Sequence, residues 1–162
     1  MIDVSPHAPL PLLDLSVQPG WIDYNGHMND AAYAIAFSEG IEAFLTWLGF
    51  DADYRARAHH TVYTLEAHIR YLQEAGEGDG VAIDLQLVDC DAKRLHVYLR
   101  MLADDGTELA TSEQMLMGID TESGRSAPFQ PPVSERLDAL WTAHESLPRP
   151  DPVGHPIGIR RR

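Results

Sequence analysis

Four side chains that can take part in acid–base or hydrogen-bonding chemistry alternate around one glycine near the start of the chain. They are Asp23, Asn25, His27 and Asn29, and Gly26 lies between the middle pair. A carboxylate can act as a nucleophile or as a general base. An amide and an imidazole can donate hydrogen bonds to a developing negative charge. Asn, Asp and Gly are also the ordinary residues of turns, so a plain strand-to-helix turn is the alternative interpretation.

The residues that follow this cluster have apolar side chains at helical spacing. Asn29 suits the N-cap of such a helix, and Asp30 suits its first turn, where a carboxylate meets the positive end of the helix dipole. The spacing predicts a helix over residues 30–48 that is buried on several sides, because most of its circumference is apolar. The apolar positions are Ala32, Ile35, Ala36, Phe37, Ile41, Phe44, Leu45, Trp47 and Leu48.

Composition limits the function classes that the chain can serve. A formal charge of −13 argues against binding nucleic acid or an anionic membrane, since both need a basic surface. No run of 18 apolar residues predicts a membrane span. The chain has one cysteine, Cys90, which we interpret as a packed strand residue. Its N-terminus has no basic region before an apolar block. Both observations predict a cytoplasmic protein.

The chain length of 162 residues predicts one main domain with extensions. We expect an extended arm over residues 1–14, the domain over 15–130, a C-terminal helix over 131–147, and a proline-rich, basic tail over 148–162. Within the domain we expect a strand over 15–22, the long helix, and four antiparallel strands over 60–74, 81–90, 95–101 and 109–119. The fold class is therefore α+β, with a five-stranded sheet curled around one helix. Unpaired sheet edges invite pairing, so a homodimer or a dimer of dimers is expected.

Residues 23–29, followed by Tyr33, resemble the hotdog acyl-CoA thioesterases of the 4-hydroxybenzoyl-CoA thioesterase-like superfamily. Residues 21–29, 64–70, 93–96, 110–115 and 120–125 are most similar to a narrower group, the betainyl-CoA thioesterases of carnitine degradation. The resemblance implies a hotdog fold and hydrolysis of a short acyl-CoA, with betainyl-CoA as the expected substrate. It implies no cofactor, since coenzyme A is part of the substrate. One departure is Gly118, which stands where we expect a histidine in the narrower group.

In a thioesterase, Asp23 would attack the thioester carbonyl directly or act as general base on water, and the sequence leaves both open. Backbone N–H groups of Gly26, His27 and Met28 would polarise the thioester oxygen. The side chains of Asn25 and His27 would donate hydrogen bonds to that oxygen or orient the water.

Three ionisable groups lie at alternate positions of the strand predicted over residues 60–74. Glu66 is a candidate for a second catalytic carboxylate, with His68 and Arg70 continuing the row as substrate-binding candidates. The alternative is a solvated sheet face. Arg70, Lys93 and Arg94 are candidates for holding the phosphates of coenzyme A.

Three aromatic residues near the motif could form a cation–π wall for a trimethylammonium group: Tyr24, Tyr33 and Trp47. For Trp47 the alternative is a core position. His59, His60 and His96 lack the spacing of metal ligands, so we expect no metal site.

Other functions remain open on the sequence alone. One is thioesterase activity on another short or aromatic acyl-CoA, such as 4-hydroxybenzoyl-CoA. The others are a hotdog enoyl-CoA hydratase and a non-catalytic acyl-CoA-binding protein. The hydratase pattern has a proline at the position of Gly26 and places its histidine five residues after the aspartate, whereas His27 follows Asp23 by four.

Overall fold

The computed structural model of the chain describes residues 8–159 and residue 161. The first seven residues of the predicted N-terminal arm, and residues 160 and 162 of the basic tail, lie outside this description. The helices and strands, in chain order, are β1 (Leu10–Ser16), α1 (Asp30–Leu48), α2 (Ala52–Ala58), β2 (His60–Tyr71), β3 (Gly80–Cys90), β4 (Arg94–Ala103), β5 (Glu108–Asp120) and α3 (Val133–His144).

The five strands form one sheet in the order β1-β3-β4-β5-β2, and every neighbouring pair is antiparallel. This confirms the predicted α+β hotdog arrangement, since the sheet curls around α1. The strands β1 and β2 are the two edges, and each pairs with one neighbour among the described strands. β2 has a register shift between Thr64 and Glu66, which changes the face that its later side chains present.

Helix α1 lies against the concave face of the sheet and supplies much of the core. Its N-cap is Asn29, as predicted, and its last residue, Leu48, is followed by Gly49 as the C-cap. The sequence placed Ile35 on the buried side of the helix, and this was wrong, because Ile35 is half exposed in the structure. The buried residues of the helix are Ala32, Tyr33, Ala36, Phe37, Gly40, Ile41, Phe44, Leu45 and Leu48.

The first strand corrects the predicted boundary of the N-terminal arm. The arm was expected to reach residue 14 and the strand to run over 15–22, yet β1 begins at Leu10 and ends at Ser16. Pro9 and Pro11 suggested an irregular arm. A proline is nevertheless tolerated in an edge strand, and β1 also has a register shift between Pro11 and Leu13. A short 3-10 helix over Pro19–Trp21 then leads to the polar cluster.

Helix α3 packs against β3 and holds a buried histidine at its end. The Leu87 N–H donates to His144 Nδ1 at 3.0 Å, where β3 has a register shift between Leu87 and Asp89. Because the bulge releases the Leu87 amide from the strand ladder, a side chain can accept from it. Burial lowers the pKa of His144, so the ring is neutral at neutral pH.

A second buried histidine, His60, fills the space beside Gly118 on the neighbouring strand. Its Nε2–H donates to the Ala127 carbonyl at 3.3 Å, and its Nδ1 accepts from the Tyr54 hydroxyl at 3.2 Å. A Cβ at position 118 would lie 2.6 Å from the Ala127 oxygen and 2.8 Å from His60 Nε2. The structure therefore gives a steric reason for the glycine where a histidine was expected: position 118 has no room for a side chain.

Within the described part of the chain, no helix combines the length and apolar character needed to cross a membrane.

Replacing Gly118 with alanine should destabilise the fold, because the added Cβ collides with a backbone carbonyl and a buried ring. Overpacking of this kind costs about 1–3 kcal/mol in the free energy of unfolding. Urea denaturation would measure the loss. The matched control is Gly20→Ala, because no heavy atom lies within 4 Å of the Cβ that it would add. Equal stability of the two variants would contradict this account of position 118.

Acidification should destabilise the fold through the two buried histidines. Burial lowers the pKa of both His60 and His144 below the ordinary value of 6.5, so the unfolded chain binds more protons than the folded one below that pH. The two neutral histidines therefore make their full contribution to the free energy of unfolding above pH 6.5. That contribution is lost as the pH drops below this value.

The slope is at most about 1.4 kcal/mol per pH unit for each histidine. Urea denaturation at a series of pH values should show a shallower fall for His144→Gln than for the wild type. A wild-type slope in His144→Gln would contradict this account.

Candidate functional site

The polar cluster forms a tight turn between the 3-10 helix Pro19–Trp21 and α1. The Asp23 amide donates to the His27 carbonyl at 3.0 Å, and the Gly26 amide donates to the Asp23 carbonyl at 3.0 Å. The Asn25 amide donates to Asp23 Oδ1 at 2.7 Å. Gly26 has a φ of 82°, a left-handed conformation that a side chain would strain. The turn therefore fixes the Asp23 carboxylate at the mouth of the loop.

The end of the turn is fastened to the body of the protein through backbone groups. Met28 donates its amide to the Ala75 carbonyl at 2.8 Å, and its side chain is buried. The Asn29 amide and its Nδ2 both donate to the Trp21 carbonyl, at 2.8 and 2.9 Å. Asn29 Oδ1 accepts from the Ala32 amide at 3.0 Å. The loop and the helix start are thus held as one unit.

These contacts narrow the predicted set of oxyanion donors. The amides of Gly26 and Met28 donate to backbone carbonyls and point away from a ligand. In the first turn of α1, Asp30 Oδ1 accepts from the Ala31 amide at 3.0 Å. Among the described residues of the turn and the helix start, the amides of Tyr24, His27 and Asp30 have no acceptor, and of these three residues His27 and Asp30 line the groove.

An open groove of about 920 Å³ lies in front of the turn and the helix start. One side is the polar turn, and the other is the end of β2 with the connection to β3. His27 Nε2 lies 3.3 Å from Glu74 Oε2 and joins the two sides. The residues that line the groove are Asp23, Asn25, His27, Met28, Asp30, Tyr33, Tyr71, Leu72, Gln73 and Glu74.

Two tyrosines form the floor of the groove. The Tyr33 hydroxyl donates to the Gln73 carbonyl at 3.2 Å, and the Tyr71 hydroxyl donates to the Asp30 carbonyl at 3.3 Å. Their ring centroids are 5.3 Å apart at an angle of 82°, an edge-to-face pair. Burial raises the pKa of both hydroxyls, so both rings are neutral at physiological pH.

Of the predicted site residues, the structure brings Asp23, Asn25, His27, Met28 and Tyr33 to the groove. Sequence reasoning missed Tyr71 and Glu74. Each comes from the far end of β2 or the loop after it, and only the folding of the sheet around α1 places them opposite the turn. The one signal in the sequence that could have indicated these two residues was the length of β2. A strand of that length can run back along α1 as far as the start of the helix.

The row of ionisable residues on β2 lies outside this groove. Ala67 and Ile69 line a cavity together with α1, so the alternating side chains of His68 and Arg70 point to the opposite face of the sheet. Glu66 and His68 line a second cavity of about 760 Å³ on that side. Within one subunit, Glu66 is therefore not a neighbour of Asp23.

The C-terminal tail crosses the same outer face of the sheet. The Gly154 amide donates to the two carboxylate oxygens of Glu113 at 3.0 and 3.1 Å. His96 Nε2 lies 2.7 Å from Glu113 Oε1, and both of these side chains are largely buried. Gln86 Nε2 donates to the Pro148 carbonyl at 3.1 Å. The tail thus covers part of the sheet, although its prolines exclude regular structure.

The basic pair Lys93 and Arg94 lies at the opposite end of the sheet from the groove. Arg94 pairs with Met117, whereas the groove end of β4 is Leu102, roughly 26 Å along the strand. Lys93 Nζ donates to Ser126 Oγ at 3.1 Å. Arg94 Nε donates to Asp91 Oδ2 at 2.7 Å, and this hydrogen bond is the main reason that the pKa of Asp91 falls to about 2.

Two of the three predicted aromatic contacts are not part of the groove lining. Tyr24 is 97% exposed and does not line it. Trp47 lies in the last turn of α1, roughly 26 Å from the helix start at 1.5 Å per residue. Its ring stacks on Phe44 with centroids 6.4 Å apart, so the core alternative describes it.

Comparisons with known proteins found matches to the sequence and to the fold. The family model described as the thioesterase-like superfamily matches residues 17–137. A betainyl-CoA thioesterase from Pseudomonas aeruginosa is 42% identical over 88% of this chain and 91% of its own. An L-carnitine dehydrogenase/betainyl-CoA thioesterase from Agrobacterium fabrum is 41% identical over 94% of this chain, which corresponds to 31% of that longer protein.

Among solved structures, a hypothetical protein from Staphylococcus aureus in complex with CoA has a TM-score of 0.87 and 33% identity. The match covers 94% of this chain and 97% of the other. The resemblance seen in the sequence is confirmed, by the family match and by the fold.

Proposed function

Because the chain belongs to the thioesterase-like superfamily, we propose that it hydrolyses a short acyl-CoA thioester, with betainyl-CoA as the preferred substrate. The observation that carries the substrate proposal is the 42% identity over nearly the whole length to a betainyl-CoA thioesterase. The groove beside Asp23 supports the reaction class, because its lining includes the Asp23 carboxylate together with His27 and Asp30, whose backbone amides have no acceptor among the described residues.

The reaction begins with Asp23. As a general base, its carboxylate takes a proton from water while the water oxygen bonds to the thioester carbonyl carbon. As a nucleophile, it bonds to that carbon itself, and water hydrolyses the resulting anhydride in a second step. In both routes the C–S bond breaks, coenzyme A leaves as the thiol after gaining a proton, and the acid is released. Water is the only co-substrate in this scheme, so we propose that no cofactor is required.

The oxyanion formed during attack needs donors aimed at it. The amides of His27 and Asp30 are our candidates, assisted by the positive end of the α1 dipole. The side chain of Asn25 lines the same groove and can orient the water. Contact with Glu74 holds the His27 ring beside the turn.

A second copy of the chain would complete the site. β2 is an edge strand, and its middle exposes Tyr63 and Leu65, both more than half exposed. We propose that two β2 edges pair antiparallel in a homodimer, which leaves larger assemblies such as a dimer of dimers open. Antiparallel pairing would bring the basic turn at Lys93 and Arg94 of one copy toward the groove of the other. That arrangement would give the phosphates of coenzyme A a cationic partner that the groove itself lacks.

A cytoplasmic location also remains a prediction.

Replacing Asp23 with asparagine should remove most turnover, at least a hundredfold, while the fold is kept, because the change is nearly isosteric and Oδ1 can still accept from the Asn25 amide. A loss of roughly two to four orders of magnitude is typical for a general base. Release of free thiol from betainyl-CoA, followed with a thiol reagent, measures the rate.

The matched variant is Glu66→Gln, for which we expect a smaller loss, because Glu66 lies outside the groove of its own subunit. Wild-type kcat in Asp23→Asn would show that Asp23 is structural. If the wild-type protein binds acyl-CoA but releases no thiol, the proposed reaction is wrong.

Light scattering at micromolar concentration should give a mass of at least twice 18.0 kDa. Leu65→Glu should shift the mass toward the monomer and lower turnover, since it places a charge in the middle of the pairing edge. The control Ile157→Glu changes an equally apolar, exposed side chain of the tail and should leave the mass unchanged. A monomeric wild-type protein would contradict this arrangement.

A further inference from the structure

The lining of the groove is acidic, and this restricts what can lie in it. Asp23, Asp30 and Glu74 supply three carboxylates, and no lysine or arginine is among the described lining residues. His27, the one side chain among the described lining residues that can become cationic, is already in contact with Glu74. Such a surface repels the phosphates of coenzyme A and attracts a cation. The acyl end of a cationic thioester therefore suits the groove better than the nucleotide end.

Tyr71 gives the groove a fixed aromatic surface. The side chain is 51% exposed, yet its hydroxyl is bonded to the Asp30 carbonyl and its ring packs edge-to-face on Tyr33. Tyr33 is only 4% exposed and lies behind it, so Tyr71 is the tyrosine that a ligand meets. A quaternary ammonium has no N–H to donate, and proteins recognise it through aromatic rings within about 6 Å together with the surrounding negative charge.

We propose that Tyr71, with the carboxylates of Asp30 and Glu74, selects a quaternary ammonium on the acyl group. This inference rests on the proposed function and assigns its substrate preference to particular residues. It replaces the expectation that Tyr24 and Trp47 contact the cation. The selective element is the end of β2, where the strand meets the helix start.

The experiment compares two substrates of one shape. Betainyl-CoA carries a trimethylammonium group, and 3,3-dimethylbutanoyl-CoA carries a carbon atom in place of the nitrogen. The ratio of their kcat/KM values isolates the contribution of the charge. The wild type should favour the cationic substrate, and Tyr71→Leu should lower that ratio by roughly two- to thirty-fold. Tyr71→Phe keeps the ring and should keep most of the preference.

Tyr24→Leu is the matched comparison, because it removes a more exposed tyrosine from the same region without touching the lining of the groove. Its ratio should equal that of the wild type. Glu74→Gln should lower the ratio without endangering the fold, since the Glu74 side chain is 75% exposed.

Equal kcat/KM for the two substrates in the wild type would overturn the inference. An unchanged ratio of kcat/KM values in Tyr71→Leu would also overturn it. If Tyr71→Leu fails to fold, an unchanged ratio in Glu74→Gln would overturn it instead. Each of these results leaves thioesterase activity intact. Absence of thiol release from both substrates would instead overturn the proposed function.

Discussion

The carbonyl of Trp21 accepts two hydrogen bonds from Asn29, one from its amide and one from its side chain, and the rest of the site depends on this junction. The same side chain caps α1 through the Ala32 amide. One residue therefore closes the polar turn and starts the central helix. Since the helix is buried in the curled sheet, the turn has a rigid foundation, and the Asp23 carboxylate is placed by the core of the protein.

Local patterns predicted most of the fold. The helical spacing of residues 30–48, the alternating strands and the C-terminal helix are all confirmed, because each depends on neighbours within a few residues. The start of β1 was misplaced because its prolines suit either an arm or an edge strand, and only pairing with β3 decides between them.

The sequence predicted the part of the site that lies within one short segment of the chain. It did not predict the part that the sheet topology brings together. Asp23, Asn25 and His27 lie within one turn, so their spacing placed them together. Glu66 and His68 were assigned by alternation to a possible site, but which face of β2 borders the helix depends on the register shift after Thr64. Tyr71 and Glu74 reach the groove through the sheet topology, which no short motif encodes.

Because His60 packs closely against Gly118, the substitutions that each position tolerates depend on the residue at the other, although the two are 58 residues apart. Any side chain at position 118 would compete for the volume that the imidazole fills. A lineage can therefore gain a side chain at 118 only after residue 60 has become smaller or the Ala127 carbonyl has moved. The order of such substitutions is constrained, and a replacement that one background tolerates is harmful in another.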